Sequence, residues 1–385
     1  MKRGNSTDLI TVAAVGDIAF VGERLGKPAP KLFSAVRPVF EECDLVIGNL
    51  ESPLAKETRQ ANPEKCSLKS HPGWASELKA NAISYLSLAN NHIMDYGAEG
   101  LESTLKSLSS AGLHFSGAGG NIEEATRPAF IEIRGQKLAV LAYSLVEVSS
   151  RCYAGGNLPG VAPFIQDQVL EQIRSMRAHV DFLILCLHWG IEHYKYPSPA
   201  QRKTAKQLSE AGVDLILGHH PHTVQGAEWI NGGLIAYSLG NFVFDDFEWH
   251  YTLPDGTIGS RHVTLSEENR VGVVFKATLS RSGVFQEEPP LLVRTGEDGI
   301  ELLSDVRHGL LLQERSRFFD RPGYDFFWKI HSLRMEWTLR FRRSFSFKYF
   351  WKNFKKLRPH HFVRLYTSIT RSLRIVRGKS SNPYE

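Results

Sequence analysis

Cysteine is scarce in this sequence: four residues in 385, at Cys43, Cys66, Cys152 and Cys186, with no C-x-x-C pair and no short, regular spacing. That argues against a disulfide scaffold and against a thiolate zinc site, and it predicts unpaired thiols in a reducing compartment. No run of 18 apolar residues occurs, so no segment reads as a bilayer-spanning helix. The first twenty residues carry two basic groups but no continuous apolar core, and they do not read as a signal peptide. The expected location is the cytoplasm, with peripheral attachment at the inner membrane face as an option. No G-x-S-x-G is present, and Ser238 in Y-S-L-G-N reads as a turn residue, which leaves little support for a serine hydrolase.

Excess charge is also small, a formal +5, but it is unevenly spread. From Arg315 to Glu385 there are 18 Lys and Arg against 4 Asp and Glu, whereas the rest of the chain holds 28 bases and 37 acids. An acidic body is thus followed by a basic tail. The chain as a whole is ordinary for a soluble protein, with 42% hydrophobic and 23% charged residues.

Short apolar stretches closed by glycine or a polar residue mark strands at 9–16, 44–48, 83–89, 138–143, 181–187, 214–218 and 234–239. Helical spacing between them predicts helices over 100–111, 167–178 and 198–211, with Gly112 and Gly212 as C-terminal caps. Strands alternating with helices predict an α/β fold in which sheet faces are covered by helices. Residues 245–270 read as a long loop, and 272–279 with 284–293 as a hairpin.

Polar residues gather where the apolar strands end, the place where open α/β sheets hold ligands. Asp17 follows the first strand, Asn49 and Glu51 the second, and Asn90, Asn91 and His92 the third. His188 ends the fourth of the motif-bearing strands, His219, His220 and His222 end the next, and Asn241 follows the Y-S-L-G turn. Singly, each has a bland reading as a cap, a turn residue or a structural histidine. Their repetition at successive strand ends predicts a metal site. In an extended H-P-H segment His220 and His222 point the same way, and Pro221 restricts the backbone between them. Carboxylates and an amide beside imidazoles form a mixed oxygen and nitrogen set that suits Mn, Fe or Zn better than Ca. A carboxylate such as Glu51 could bridge two ions in a two-metal hydrolytic site.

The ordered motifs G-D-I-A-F, D-L-V-I-G-N-L-E, L-A-N-N-H-I-M-D-Y-G, L-H-W-G-I-E, G-H-H-P-H and Y-S-L-G-N-F-V-F-D resemble the CapA family of capsule-synthesis proteins, over about Thr11 to Leu292. That family is similar in fold to calcineurin-like metallophosphoesterases, a sandwich of β-sheets flanked by helices, and is associated with poly-γ-glutamate. The resemblance implies a CapA-like phosphoesterase-type domain, placed at 1–310, and the composition that follows marks 311–385 as a basic, aromatic-rich C-terminal extension. It implies one or two divalent ions (Mn, Fe or Zn) held by Asp17, Glu51, Asn91, His188, His220 and His222, with Glu51 bridging. His92 would serve as the acid for the leaving group, supported by Asp95 and Gly97. Asn49, Asn90, Glu192, His219 and Asn241 would line the pocket or back the ligands. Two departures stand out: Ala19 occupies the histidine position of D-x-H, and Glu51 stands where phosphoesterases commonly have Asp.

Two functions fit. One is a metal-dependent hydrolase of phosphoester or γ-glutamyl amide bonds; the other is a non-catalytic, metal-binding assembly or polymer-binding factor of a capsule-synthesis complex. Expected partners are an acidic polymer or phosphoester, capsule-synthesis proteins and, through residues 315–378, an anionic membrane surface. In that tail, arginines and lysines interleave with aromatics such as Phe341, Phe345, Trp351 and Phe354, a pattern suited to an interfacial helix. Packing of some aromatics on the body is the plainer alternative. No nucleic-acid module is recognisable.

Overall fold

In the strand Ile10–Ile18, alternate side chains enter two different cores. Ile10, Val12 and Ala14 join one cluster with Leu138, Val140, Ile184, Leu215 and Leu217, while Ala13 and Val15 join another with Leu78, Leu101 and Leu108. A pleated strand turns successive side chains to opposite faces, so this one separates an inter-sheet core from a sheet–helix core. The computed structural model describes residues 9–336 except 23–24, 27, 30, 57–59, 63–64, 147–151, 253–256, 287 and 304–310.

Two sheets face each other. The first, of nine strands, runs in the order Ile300–Leu302, Leu291–Thr295, Val271–Ser280, Ile10–Ile18, Leu45–Leu50, Tyr85–Ser87, His114–Ser116, with Asn241–Val243 and Gly283–Phe285 paired at its side. The second, of six, runs Ala227–Ile230, Gly233–Ala236, Leu215–His219, Phe182–His188, Gln136–Ser144, Ala129–Ile133. Their apposed faces share one apolar cluster. Helices Trp74–Ala80 and Gly97–Ser110 cover the outside of the first sheet; Gln166–Arg177 and Pro199–Glu210 cover the outside of the second. The result is the α/β sandwich of sheets flanked by helices that the sequence predicts.

Local chemistry explains the helix limits. Ser198 accepts from the Gln201 backbone N–H while the Gln201 side chain accepts from the Ser198 N–H, a reciprocal cap, and Pro199 fills the first helical position. Helix Gly97–Ser110 buries Leu101, Thr104 and Leu108 and stops just ahead of Gly112.

Two expectations need correction. Residues 245–270 are not simply a loop: Phe247–Thr252 pairs antiparallel with Ile258–Val263, and a 3-10 turn follows at Glu267–Arg270. The stretch 284–293 is two strands rather than one, Gly283–Phe285 and Leu291–Thr295, both pairing with Val271–Ser280. Helices Leu311–Ser316 and Tyr324–Glu336 lie against the body, where Phe319, Tyr324 and Trp328 enter the outer core of the second sheet. The remainder of the basic tail lies outside the described residues. None of the four cysteines is in a disulfide. No helix among the described residues is long and apolar enough to cross a membrane.

Candidate metal centre

Both sheets deliver their polar strand ends to one place. In the first, Asp17 is in register with Asn49 on one side and Asn241 on the other. In the second, His188 is in register with Ser144 and His219. The Ile10–Ile18 strand slips register between Ala14 and Asp17, a bulge that re-aims Asp17. Glycine precedes the polar residue in each sheet because backbone crosses there. A Cβ on Gly16 would stand 1.9 Å from the Gly240 carbonyl oxygen, and one on Gly218 would stand 1.9 Å from that of Tyr237.

Asp17, Glu51, Asn91, His188, His220 and His222 converge. Nε2 of His188 lies 2.8 Å from Oδ1 of Asn91 and 3.5 Å from Oε1 of Glu51. Nδ1 of His222 lies 3.3 Å from Oδ2 of Asp17, and its Nε2 lies 3.5 Å from Oε1 of Glu51. The His188 and His220 rings are 4.8 Å apart. Ligand atoms of Glu51, His220 and His222 all lie within 4.8 Å of one another. His220 and His222 do not reach this arrangement through an extended segment. Their φ angles are 94° and 53°, so left-handed turns on both sides of Pro221, rather than strand periodicity, bring the imidazoles together. Such conformations are costly for residues with a Cβ and concentrate at functional sites.

The surrounding residues hold these groups in place. Asn49 donates to Oδ1 of Asp17 at 2.8 Å and stands 3.5 Å from Nδ1 of His188. Oδ1 of Asn241 sits 2.9 Å from Nδ1 of His222. Asn90 donates to the Leu50 carbonyl and accepts from the His92 and Ile93 N–H groups, which fixes the turn that presents Asn91 and His92. Nδ1 of His92 is 2.7 Å from Oδ2 of Asp95, and the same carboxylate accepts from the Leu68 N–H. His219 turns aside, its Nε2 3.3 Å from the Val15 carbonyl. Glu192 is exposed, four residues past His188.

Two contributors are not foreseeable from the sequence. Asn269 donates to the His222 carbonyl at 2.7 Å and accepts, through its own carbonyl, from Asn241. Lys65 pairs with Asp95 at 2.5 Å and also donates to the Asn91 carbonyl. Neither follows the C-terminal end of an apolar strand, where the sequence pattern places its candidates. The hairpin did leave a signal: Phe247, Trp249 and Tyr251 alternate with Glu248, His250 and Thr252, a period of two.

Charge in the cluster is unevenly compensated. Burial alone would raise Asp17, but hydrogen bonds from His222 and Asn49 and the nearby imidazoles hold it below the ordinary carboxylate range. Burial works against a charged His222 too, yet Glu51 and Asp17 outweigh it and lift the ring to about 10. Burial takes His220 down to about 4 and holds His188 well below its ordinary value, its imidazole neighbours adding to the effect. Glu51 is the group left over. It is wholly buried, neither of its oxygens has a hydrogen-bond partner, and desolvation pushes its carboxyl well upward. The His222 ring 3.5 Å away offsets only part of this burial; a buried carboxylate without hydrogen bonds is costly, and a further cation beside it relieves that cost. Carboxylate, amide and imidazole donors, with no cysteine among them, fit a divalent ion of the Mn, Fe or Zn type.

Residues 11–246 match the family described as bacterial capsule synthesis protein PGA_cap. The chain belongs to that family. It is 36% identical over 250 residues to the PGA biosynthesis protein CapA of Bacillus subtilis (strain 168), covering 62% of this chain and 64% of that protein. It is 33% identical over 256 residues to the capsule biosynthesis protein CapA of Bacillus anthracis, covering 63% and 62% respectively. The chain thus spans a little under two thirds of the length of either relative. Among solved structures, the NAD nucleotidase NadN of Haemophilus influenzae aligns with a TM-score of 0.45 at 12% identity, over 80% of this chain and 55% of that one.

Proposed function

We propose that this PGA_cap protein is a metal-dependent hydrolase of phosphoesterase type that acts in capsule or poly-γ-glutamate synthesis. The observation that carries the reading is the orphaned Glu51 carboxylate, buried within 4.8 Å of the ligand atoms of His220 and His222. Asp17, Glu51, Asn91, His188, His220 and His222 would hold one or two divalent ions. When bound, such ions lower the pKa of water and stabilise negative charge on a phosphoryl or acyl oxygen.

The chain's own residues supply the rest. Asn49 and Asn241 hold Asp17 and His222 in position. Asp95, fixed by Lys65 and the Leu68 N–H, accepts from Nδ1 of His92; the doubly protonated ring would give its Nε2 proton to the leaving group and return to the neutral form that burial favours. Capsule-synthesis relatives make an acidic polymer or a phosphoester the expected substrate class.

A specific observation favours the second reading, a metal-binding assembly factor without turnover. Ala19 is buried in an apolar cluster with Val21, Leu68, Phe244 and Phe247, so the third position of the first motif faces hydrocarbon and offers no ligand. A turnover screen with Mn²⁺ on aryl phosphates, phosphodiesters and poly-γ-glutamate separates the two. Turnover that disappears together with bound metal in His220→Ala supports the hydrolase; bound metal without turnover on any of these substrates supports the assembly factor. Metal and activity both retained in His220→Ala would defeat the site assignment.

A further inference from the structure

Helix Tyr324–Glu336 has two unlike faces. Tyr324, Trp328 and Ser332 point inward and are buried. The Tyr194 hydroxyl donates to the Ser332 carbonyl and the Tyr324 hydroxyl donates to that of Pro197. The Tyr196 ring packs edge-on against Phe318, Phe327 and His331. The helix therefore lies on the segment Tyr194–Pro197, which leads directly out of the candidate metal centre from His188.

The outer face carries an apolar stripe. Phe326, Ile330 and Leu333 are 69%, 43% and 49% exposed. Their i, i+4, i+7 spacing puts them in one line along the helix. Among the described residues, all three remain on the exposed surface. Asp325 stands at the start of the stripe, and the exposed Lys329 and Arg334 flank its later part. The sequence after Glu336 turns strongly basic, with 13 Lys and Arg and a single acid, Glu385, across residues 337–385. The same stretch carries Trp337, Phe341, Phe345, Phe347, Tyr349 and Trp351.

We propose that the outward face of the Tyr324–Glu336 helix docks on an anionic lipid surface, with Phe326, Ile330 and Leu333 entering the headgroup boundary. The charge that follows the helix selects this occupant. An apolar stripe continued by a polybasic, aromatic-rich segment combines the two signals that together give firm peripheral binding, hydrocarbon burial and attraction to acidic headgroups. A second copy of the chain would bring 13 more cations against these 13, which disfavours self-association at this face. The geometry gives docking a purpose. The opposite side of the same helix, about 10 Å away, supports the segment leaving the site, so docking sets the site close to the lipid surface. The inference stands apart from the identity or presence of a metal.

Sedimentation of the full chain with vesicles of phosphatidylcholine, with and without phosphatidylglycerol, tests it. The full chain should partition to the anionic vesicles, and raised salt should weaken but not abolish that binding. The triple variant Phe326→Gln, Ile330→Gln, Leu333→Gln should partition roughly tenfold more weakly. Its thermal unfolding midpoint should not change, because the three side chains point outward. Phe326→Ser alone should give a smaller loss and serves as the readout if the triple variant misfolds. Unchanged partitioning in these variants would overturn the proposal, since the tail alone would then carry any lipid binding. A stripe variant that alters the oligomeric state on gel filtration while lipid binding stays the same would assign the face to a second copy and overturn it equally.

Discussion

Asn49 donates a 2.8 Å hydrogen bond to Oδ1 of Asp17 from the adjacent strand, and the two residues stand in direct register. The same amide is 3.5 Å from His188 in the opposite sheet, so one side chain aligns a carboxylate and an imidazole that have no covalent reason to meet. Groups that orient ligands without touching the ion are typically worth 10–100-fold in affinity. Asn49→Ala should therefore weaken Mn²⁺ binding by about 10–100-fold, measured by titration calorimetry on chelator-treated protein. Equal affinity in the variant and the parent would show that Asp17 needs no such support.

Glu51 makes the opposite kind of prediction. With no hydrogen bond to either oxygen, its carboxylate is a burden to the metal-free fold. Glu51→Gln should leave the metal-free protein as stable as the parent or more so. It should also abolish the stabilisation that a divalent ion confers, about 2.7 kcal/mol at a hundredfold excess over Kd. Thermal unfolding with and without Mn²⁺ reads both effects. A large loss of stability in metal-free Glu51→Gln would mean that the carboxylate is needed structurally.

Arg315 fastens the C-terminal helices to the site. Its buried guanidinium donates to the Val224 carbonyl and pairs with Glu268, one residue before the Asn269 that holds His222. Arg315→Ala would strand a carbonyl and a half-buried carboxylate, though Lys195 at 2.7 Å still compensates Glu268. The expected cost is about 2 kcal/mol, read from urea unfolding. A cost near zero would show that the helices dock through their aromatic side chains alone.

His331 gives acid sensitivity a direction. Burial, with the nearby Lys195, Arg315 and Arg334 cations, takes its imidazole from the ordinary 6.5 down to about 4. The folded state prefers the neutral ring, so the unfolded chain takes up the proton first as the pH falls. Stability from this group is complete above about pH 6.5 and is lost progressively toward pH 4. Urea midpoints of the parent should drop across that window, and those of His331→Phe should drop less. Parallel curves would place the acid sensitivity elsewhere.

The sheets and their polar ends were legible because buried strands write themselves as short apolar runs. Leu45–Leu50 and Phe182–His188 are examples, each ending on or beside a residue of the cluster. Other features left weaker traces or none. The Phe247–Thr252 strand was hidden by the polar half of its alternation and by surrounding turn residues. The turn at His220 and His222 could not be read, because left-handed backbone at histidine runs against local preference and is imposed by the fold. Asn269 reaches His222 from 47 residues away, a relationship that only tertiary closure creates.

The division of the cluster between the two sheets bears on how the protein matures. Asp17, Asn49 and Asn241 arrive with one sheet, and His188 and His219 with the other, so neither half assembles a binding cavity alone. An ion entering from solution would meet a complete set of donors only after the last of these long loops had closed. Capture would then stitch the two layers together and resist their separation. A nascent or partly opened chain would have little hold on whatever metal happened to be abundant around it.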